Sequence, residues 1–161
     1  MEKQAIMAVD DEPANLRMLE RLFHKDYRVL LAASGEEALK ILEHEQVALI
    51  ITDQRMPGMK GTELLRKSIQ TQPDATKIIL TGYSDMDALI EAINTTRVYQ
   101  YVSKPWEPQQ LLEIVEGALS EHNKCVGEKQ LIAGLKALFQ SNKDLMAGHV
   151  DIARCFEQNG K

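Results

Sequence analysis

The chain has 161 residues, 44% hydrophobic and 27% charged, the makeup of a soluble globular protein with room for one ordinary domain and a helical appendage. A formal charge of −5 excludes the basic footprint of non-specific nucleic-acid binding and favours protein partners. The two cysteines, Cys125 and Cys155, lie without CxxC or Cys/His spacing, which excludes a zinc site and a disulfide framework and leaves them as reduced thiols.

Met1 to Gln4 leads into an apolar run without a charged-then-apolar leader, and no run approaches membrane-spanning length, so a cytoplasmic protein is expected. Ala5 to Val9 reads as a buried strand ending in Asp10-Asp11-Glu12, and Pro13 opens a helix through Leu16, Leu19, Leu22 and Phe23. Tyr27 to Ala32 is a second strand. Ser34 and Glu37 then form a capping box for a helix carrying Ala38, Leu39, Ile41 and Leu42. Val47 to Ile51 is apolar without alternation, as in a parallel strand covered on both faces, and it delivers Asp53 before the Met56-Pro57-Gly58 turn.

Gly61-Thr62-Glu63 starts a third helix, through Leu64, Leu65 and Ile69, that stops before Pro73. Lys77 to Thr81 is the fourth strand. Ser84 or Asp85 caps a helix with Leu89, Ile90 and Ile93, Val98 to Val102 is the fifth strand, and a helix from about Pro108 to His122 closes the unit. Five βα units in a row predict an α/β fold, a five-stranded parallel doubly wound sheet with five helices on its two faces. The expected domain is 1–123.

From Lys124 the strand pattern ends. Leu131, Leu135, Leu138, Asn142, Leu145, His149, Ile152 and Phe156 are spaced by four and three in turn, a heptad seam in which one polar residue sets register. Gly127, Gly134 and Gly148 each weaken a helix by roughly 1 kcal/mol relative to Ala, which predicts a break near Gly127. Residues 124–161 are expected as a helical extension, either a coiled-coil dimerisation helix or a linker to an output domain, rather than a helix folded back on its own domain.

Ligands of doubly wound sheets sit at the carboxyl ends of the strands. Asp10 and Asp11, Asp53, Thr81 and Lys104 all fall there. Two carboxylates about 4 Å apart repel by roughly 4 kcal/mol at an effective dielectric near 20, so such a cluster calls for a cation, and carboxylate, carbonyl and water ligands suit Mg²⁺, with Mn²⁺ as an alternative. With a metal on one side and the Lys104 ammonium and Thr81 hydroxyl on the other, Asp53 is placed as a nucleophile toward a phosphoryl group.

On the Asp10-Asp11 pair, Asp53 with Met56-Pro57-Gly58 and Gly61, Thr81-Gly82, and Lys104-Pro105, the chain from Gln4 to His122 resembles the receiver domain of bacterial two-component response regulators, a flavodoxin-like fold. The resemblance implies that Asp53 accepts a phosphoryl group from a sensor histidine kinase or phosphotransfer protein. It implies that Asp11, Asp53 and the Arg55 backbone carbonyl ligate Mg²⁺ with help from Asp10, and that Thr81 and Lys104 contact the phosphoryl oxygens. Tyr101 matches an aromatic switch coupled to Thr81. The signalling face implied is the Asp85–Asn94 helix, the fifth strand and the last domain helix, acting on dimerisation or output, with no direct contact to nucleic acid or membrane.

The wording around Asp53, Thr81 and Lys104 is closest to receivers joined to HD-type phosphohydrolases or to hydrogenase-type transcription regulators, yet neither an HD metal motif nor a basic helix-turn-helix occurs in this sequence. Arg55 and Tyr83 stand where bulk would slow loss of the phosphoryl group, beside the open space left by Gly82. Two alternatives carry weight: a Mg-dependent aspartyl-phosphate phosphohydrolase, which usually has an acid where Arg55 stands, and a phosphorylation-independent pseudo-receiver adaptor. The four histidines have no ligand spacing, Met56 and Met59 read as loop packing, and Trp106 reads as packing rather than docking.

Overall fold

The structure, a computed structural model, describes residues 2–82 and 96–157. In chain order these form β1 (Ala5–Val9), α1 (Pro13–Phe23), β2 (Arg28–Ala32), α2 (Gly35–Leu42), β3 (Leu49–Asp53), α3 (Gly61–Ser68), β4 (Thr76–Thr81), β5 (Gln100–Ser103) and α4 (Pro108–Glu157). The expected helix at Asp85–Asn94 lies outside the described residues, as does Tyr83, so four helices are described where five were expected. The sheet order is β2-β1-β3-β4-β5, with every neighbouring pair parallel. This is the flavodoxin-like order, whose direction of winding reverses between β1 and β3.

The continuous apolar runs are explained by two cores. Met7, Val9, Ile50 and Ile79 pack on one face with Ala38 and Leu42 of α2 and Leu64 and Leu65 of α3. Ile6, Ala8, Ile51, Ile78 and Leu80 pack on the other with Leu19 and Phe23 of α1 and Leu111 and Val115 of α4. Because successive side chains of a strand point to opposite faces, a strand feeding both cores cannot alternate apolar with polar.

Local signals explain the ends of elements. Ser34 caps α2 by accepting from the Glu37 amide at 3.1 Å, while the Glu37 carboxylate reaches one residue further back than in the usual box and accepts from the Ala33 amide at 2.8 Å. Gln72, fully buried, donates to the carbonyls of Leu42 and Glu45 and accepts from the Val47 amide, tying the end of α2 to the entry of β3. Lys77 is only 4% exposed. Its ammonium donates to the Ala75 carbonyl at 2.9 Å, and burial pushes its pKa down against the opposing pull of Asp74.

Several strand boundaries shift by one or two residues from expectation. β2 begins at Arg28 rather than Tyr27, β3 runs from Leu49 through Asp53 rather than from Val47 to Ile51, β4 begins at Thr76 rather than Lys77, and β5 spans Gln100–Ser103 rather than Val98 to Val102. A larger correction concerns the C-terminal third, since the break expected near Gly127 is absent and α4 is continuous from Pro108 to Glu157. An isolated glycine keeps both of its backbone hydrogen bonds, and its penalty of about 1 kcal/mol is spread over strong helix formers such as Glu128, Lys129, Gln130 and Leu131.

By internal packing the chain divides into two units, Met1–Asn123 and Lys124–Lys161. In the second, the large apolar side chains from Leu131 to Met146 are exposed. No helix among the described residues is long and apolar enough to cross a membrane.

Candidate functional site

The sheet ladder runs one residue beyond its strands and thereby seats the site. The Asp10 amide donates to the Ala32 carbonyl, the Gln54 amide to Leu80, and the Lys104 amide to Thr81 at 2.8 Å. Register does the rest. Val9 lies opposite Thr52, Asp53 opposite Leu80 and Thr81 opposite Ser103. Asp10, Asp53, Thr81 and Lys104 are therefore brought to one edge across β1, β3, β4 and β5, at the carboxyl ends of the strands.

Asp53 is 7% exposed. The Lys104 ammonium lies 2.8 Å from its Oδ1 and 3.5 Å from Oδ2 of Asp10. Burial raises the pKa of Asp53, a neighbouring Asp10 charge adds to the rise, and the Lys104 hydrogen bond and charge reverse only part of it. Burial alone would lower the pKa of Lys104, yet the hydrogen bond to Asp53 and the two carboxylate charges outweigh it and the group ends above its ordinary value. The same ion pair thus secures the charge on the lysine more firmly than that on the carboxylate.

Asp10 is 1% exposed and already well supplied with donors. Its Oδ1 accepts from the Glu12 amide at 2.9 Å, and its Oδ2 accepts from the Asn15 amide group at 3.1 Å. Asp11 is exposed. Carboxylate oxygens of Asp10, Asp11 and Asp53 all lie within 4.8 Å of one another. Three acids so close, one of them facing solvent, form an oxygen donor set of the kind Mg²⁺ takes while retaining waters. The residues fit that ion. Arg55, whose carbonyl completes the expected set, is exposed at the strand end.

Thr81 is 2% exposed, and its hydroxyl donates to the Gly82 carbonyl at 3.2 Å. Tyr101 is half-buried on β5 against the α2–α3 core. Its hydroxyl is buried with no hydrogen-bond partner among the described residues, and burial raises its pKa.

The turn after Asp53 is held from below. The Gly61 amide donates to the Gln54 carbonyl at 3.1 Å, and a Cβ at Gly61 would collide with the Asp53 carbonyl. Gln54 caps α3, with its Oε1 accepting from the Thr62 amide at 3.0 Å. Gly58 takes φ +79°, the left-handed conformation glycine adopts freely.

Sequence reasoning missed Asn15, which donates to both Asp10 and Glu12; its position in the first turn of α1 was the available signal. It also missed Gln54, and a cleft of about 400 Å³ beside the acids, lined by Asn15, Met18, Lys104, Pro105 and Trp106 among others. Met18 is 49% exposed. Trp106 packs in part against the α1–α4 core and in part walls this cleft. The peptide between Lys104 and Pro105 is cis.

Comparison with known proteins agrees with the geometry. The family described as response regulator receiver domain matches residues 6–116. A hydrogenase transcriptional regulatory protein, HoxA of Cupriavidus necator, is 37% identical over 119 residues, 73% of this chain and 25% of that protein. The structure resembles one described as adenylate cyclase from Rhodopirellula baltica, with TM-score 0.77, 28% identity, and 81% and 97% of the two chains covered. It also resembles the signal receiver domain of an HD domain-containing protein from Pseudomonas fluorescens Pf-5, with TM-score 0.72, 33% identity, and 76% and 99% covered. The chain spans about a quarter of the length of the curated relatives it matches.

Proposed function

Since the chain belongs to the response regulator receiver family, whose members are phosphorylated on an aspartate, we propose that Asp53 is the phosphoryl acceptor of a two-component phosphorelay. The observation that carries this is the Lys104 ammonium 2.8 Å from Asp53, with the carboxylates of Asp10 and Asp11 gathered on the same residue. Residues 1–123 act as the receiver and 124–161 as a dimerisation helix or linker.

An oxygen of Asp53 forms a bond to phosphorus while the donor's phosphohistidine N–P bond breaks, its electron pair leaving with the imidazole nitrogen. Asp11, Asp53 and the Arg55 carbonyl, helped by Asp10, would hold a Mg²⁺, which when bound would supply neutralisation of phosphoryl charge. Lys104 supplies the second positive charge, pairing with a phosphoryl oxygen as its contact with Asp53 loosens. The Thr81 hydroxyl exchanges the Gly82 carbonyl for a phosphoryl oxygen, and Tyr101, with no partner of its own among the described residues, turns with it. The change passes to the Asp85–Asn94 segment, β5 and α4.

Incubation with acetyl phosphate and Mg²⁺ tests this reading. One acid-stable, base-labile phosphoryl group per chain, absent from Asp53→Asn, is expected. Sustained turnover of a phosphate monoester would establish a phosphohydrolase instead, and the absence of any label a pseudo-receiver. Arg55 in place of a second acid speaks against the hydrolase.

The donor is a sensor histidine kinase or phosphotransfer protein, met in the cytoplasm at the cleft walled by Met18 and Trp106. The named relatives carry three different outputs, a transcription regulator, a cyclase and an HD-domain protein, so likeness of the receiver does not select an output. The hydrogenase-type transcription regulator and the HD-type phosphohydrolase are the two we favour, on the wording of the site, and the coding sequence after Lys161 decides between them and a stand-alone regulator.

A further inference from the structure

The strand-end site makes no use of the exposed face of α4 beyond Asn123. There Leu131, Leu138 and Leu145 recur every seven residues, and Ile132, Phe139 and Met146 recur beside them at the same interval. All six are 52–75% exposed. With the leucines at heptad position d, Leu135 and Asn142 fall at a and the second set at e. On the opposite flank, position g is Gly127, Gly134, Ser141 and Gly148. A Cβ built on Gly127 or Gly134 meets nothing within 4 Å among the described residues.

We propose that a second copy of this chain closes this face, as a parallel, in-register pair of helices in which the large e side chains of each copy cover the small g positions of the other. The inference rests on the self-association proposed above and gives it an orientation. In a parallel pair, g lies beside the e position five residues further along the other helix. Gly127 then meets Ile132 of the second copy, Gly134 meets Phe139 and Ser141 meets Met146, so that each large apolar group finds space. An antiparallel pair sets e against e and g against g, crowding one flank and emptying the other, and both faults destabilise.

Asn142 and the uncharged flanks agree. Asn142 meets its own copy across the seam only in the parallel register, where the two amides satisfy each other; opposite a leucine its buried amide would lack a partner. Lys129, Lys136 and Lys143 recur at position b, away from the seam, and neither e nor g carries a charge from Gly127 to Gly148; the one charge on the seam in this span is Glu128, at position a of its first turn. Seven large apolar side chains per helix, each losing on the order of 100 Å², remove roughly 700 Å² per partner, near the roughly 800 Å² of a standard interface.

Sedimentation equilibrium and oxidative cross-linking of the full chain test the pairing. In a Cys125→Ser, Cys155→Ser background, Leu138→Cys is expected to give a disulfide-linked dimer at micromolar concentration, because only a parallel, in-register pair sets d against its own copy. Gly134→Gln improves intrinsic helix propensity, yet is expected to weaken dimerisation at least tenfold by displacing Phe139 of the second copy. A monomeric wild type at tens of micromolar, a dimer in which Leu138→Cys fails to cross-link, or a Gly134→Gln chain that associates as tightly as wild type would each overturn the proposal. Acetyl phosphate labelling of Asp53 on the same samples distinguishes failure of this pairing from failure of the phosphoryl-acceptor reading.

Discussion

The ammonium of Lys104, one residue past the edge strand β5, reaches across β4 to lie 2.8 Å from Oδ1 of Asp53 on the central strand β3. Burial nevertheless leaves Asp53 with a pKa above its ordinary value. A carboxyl raised in the folded state contributes stability below its unfolded pKa and loses it as pH rises through the folded value. At neutral pH the ionised side chain therefore works against the fold. Asp53→Asn is expected to raise the melting temperature by a few degrees, about 4 °C per kcal/mol in a domain of this size; an unchanged or lower midpoint would contradict this account.

In the proposed reading ionised Asp53 is the nucleophile, and the Lys104 hydrogen bond and charge favour its ionisation. Lys104→Met is expected to move the rising limb of acetyl phosphate labelling against pH to higher pH and to slow labelling at pH 7. A pH profile that stays in place would show that Lys104 acts elsewhere in the reaction.

Asp11 is exposed while Asp10 and Asp53 are buried, so Asp11→Asn would remove a proposed metal ligand with little effect on folding. Mg²⁺ at about a hundred times its dissociation constant should stabilise the native chain by roughly 2.7 kcal/mol. Thermal melts with and without Mg²⁺ are expected to separate for wild type and to coincide for Asp11→Asn. Equal shifts in both would place the ion away from these acids.

Met18 borders the cleft beside Asp10 and Lys104 and is about half exposed. Met18→Glu is expected to lower the rate of transfer from a phosphohistidine protein that labels the wild type by tenfold or more while leaving acetyl phosphate labelling unchanged. A parallel loss with both donors would show damage to the site rather than to docking.

The two glycines Gly61 and Gly127 are opposite cases. Gly61→Ala drives a Cβ into the Asp53 carbonyl and is expected to destabilise by about 1–3 kcal/mol or more in urea unfolding. Gly127→Ala meets no atom of its own chain among the described residues and, at concentrations low enough to keep the chain monomeric, should raise helical circular dichroism, with a gain of about 1 kcal/mol in local helix stability.

Arg55 is exposed two residues after Asp53, and in the proposed reading its bulk hinders an attacking water. A phosphoryl lifetime well beyond a minute is expected, shortened in Arg55→Ala; loss of label from the wild type within seconds would refute it.

Much of this was legible in the chain itself. Strands buried on both faces carry apolar runs without alternation, so β1, β3 and β4 announced a parallel sheet, and the acids, hydroxyl and lysine stood at or just after the ends of those runs. The helix break expected at Gly127 failed because propensity is a weak local term and the neighbouring helix formers override it. Asn15, Gln54 and the Met18–Trp106 cleft were not visible, since each depends on side chains from separate elements meeting.

The sequence by itself determined the fold class and the candidate residues at strand ends, because hydrophobic period and turn chemistry are local properties read along the chain. Only the tertiary structure decided how those residues stand to each other. Strand order sets β1 beside β3 and β5 beside β4, the ladder bonds past each strand pin the residues that follow, and burial then sets the balance between Asp53 and Lys104. That balance depends on distance and dielectric, and neither is a property of any one segment.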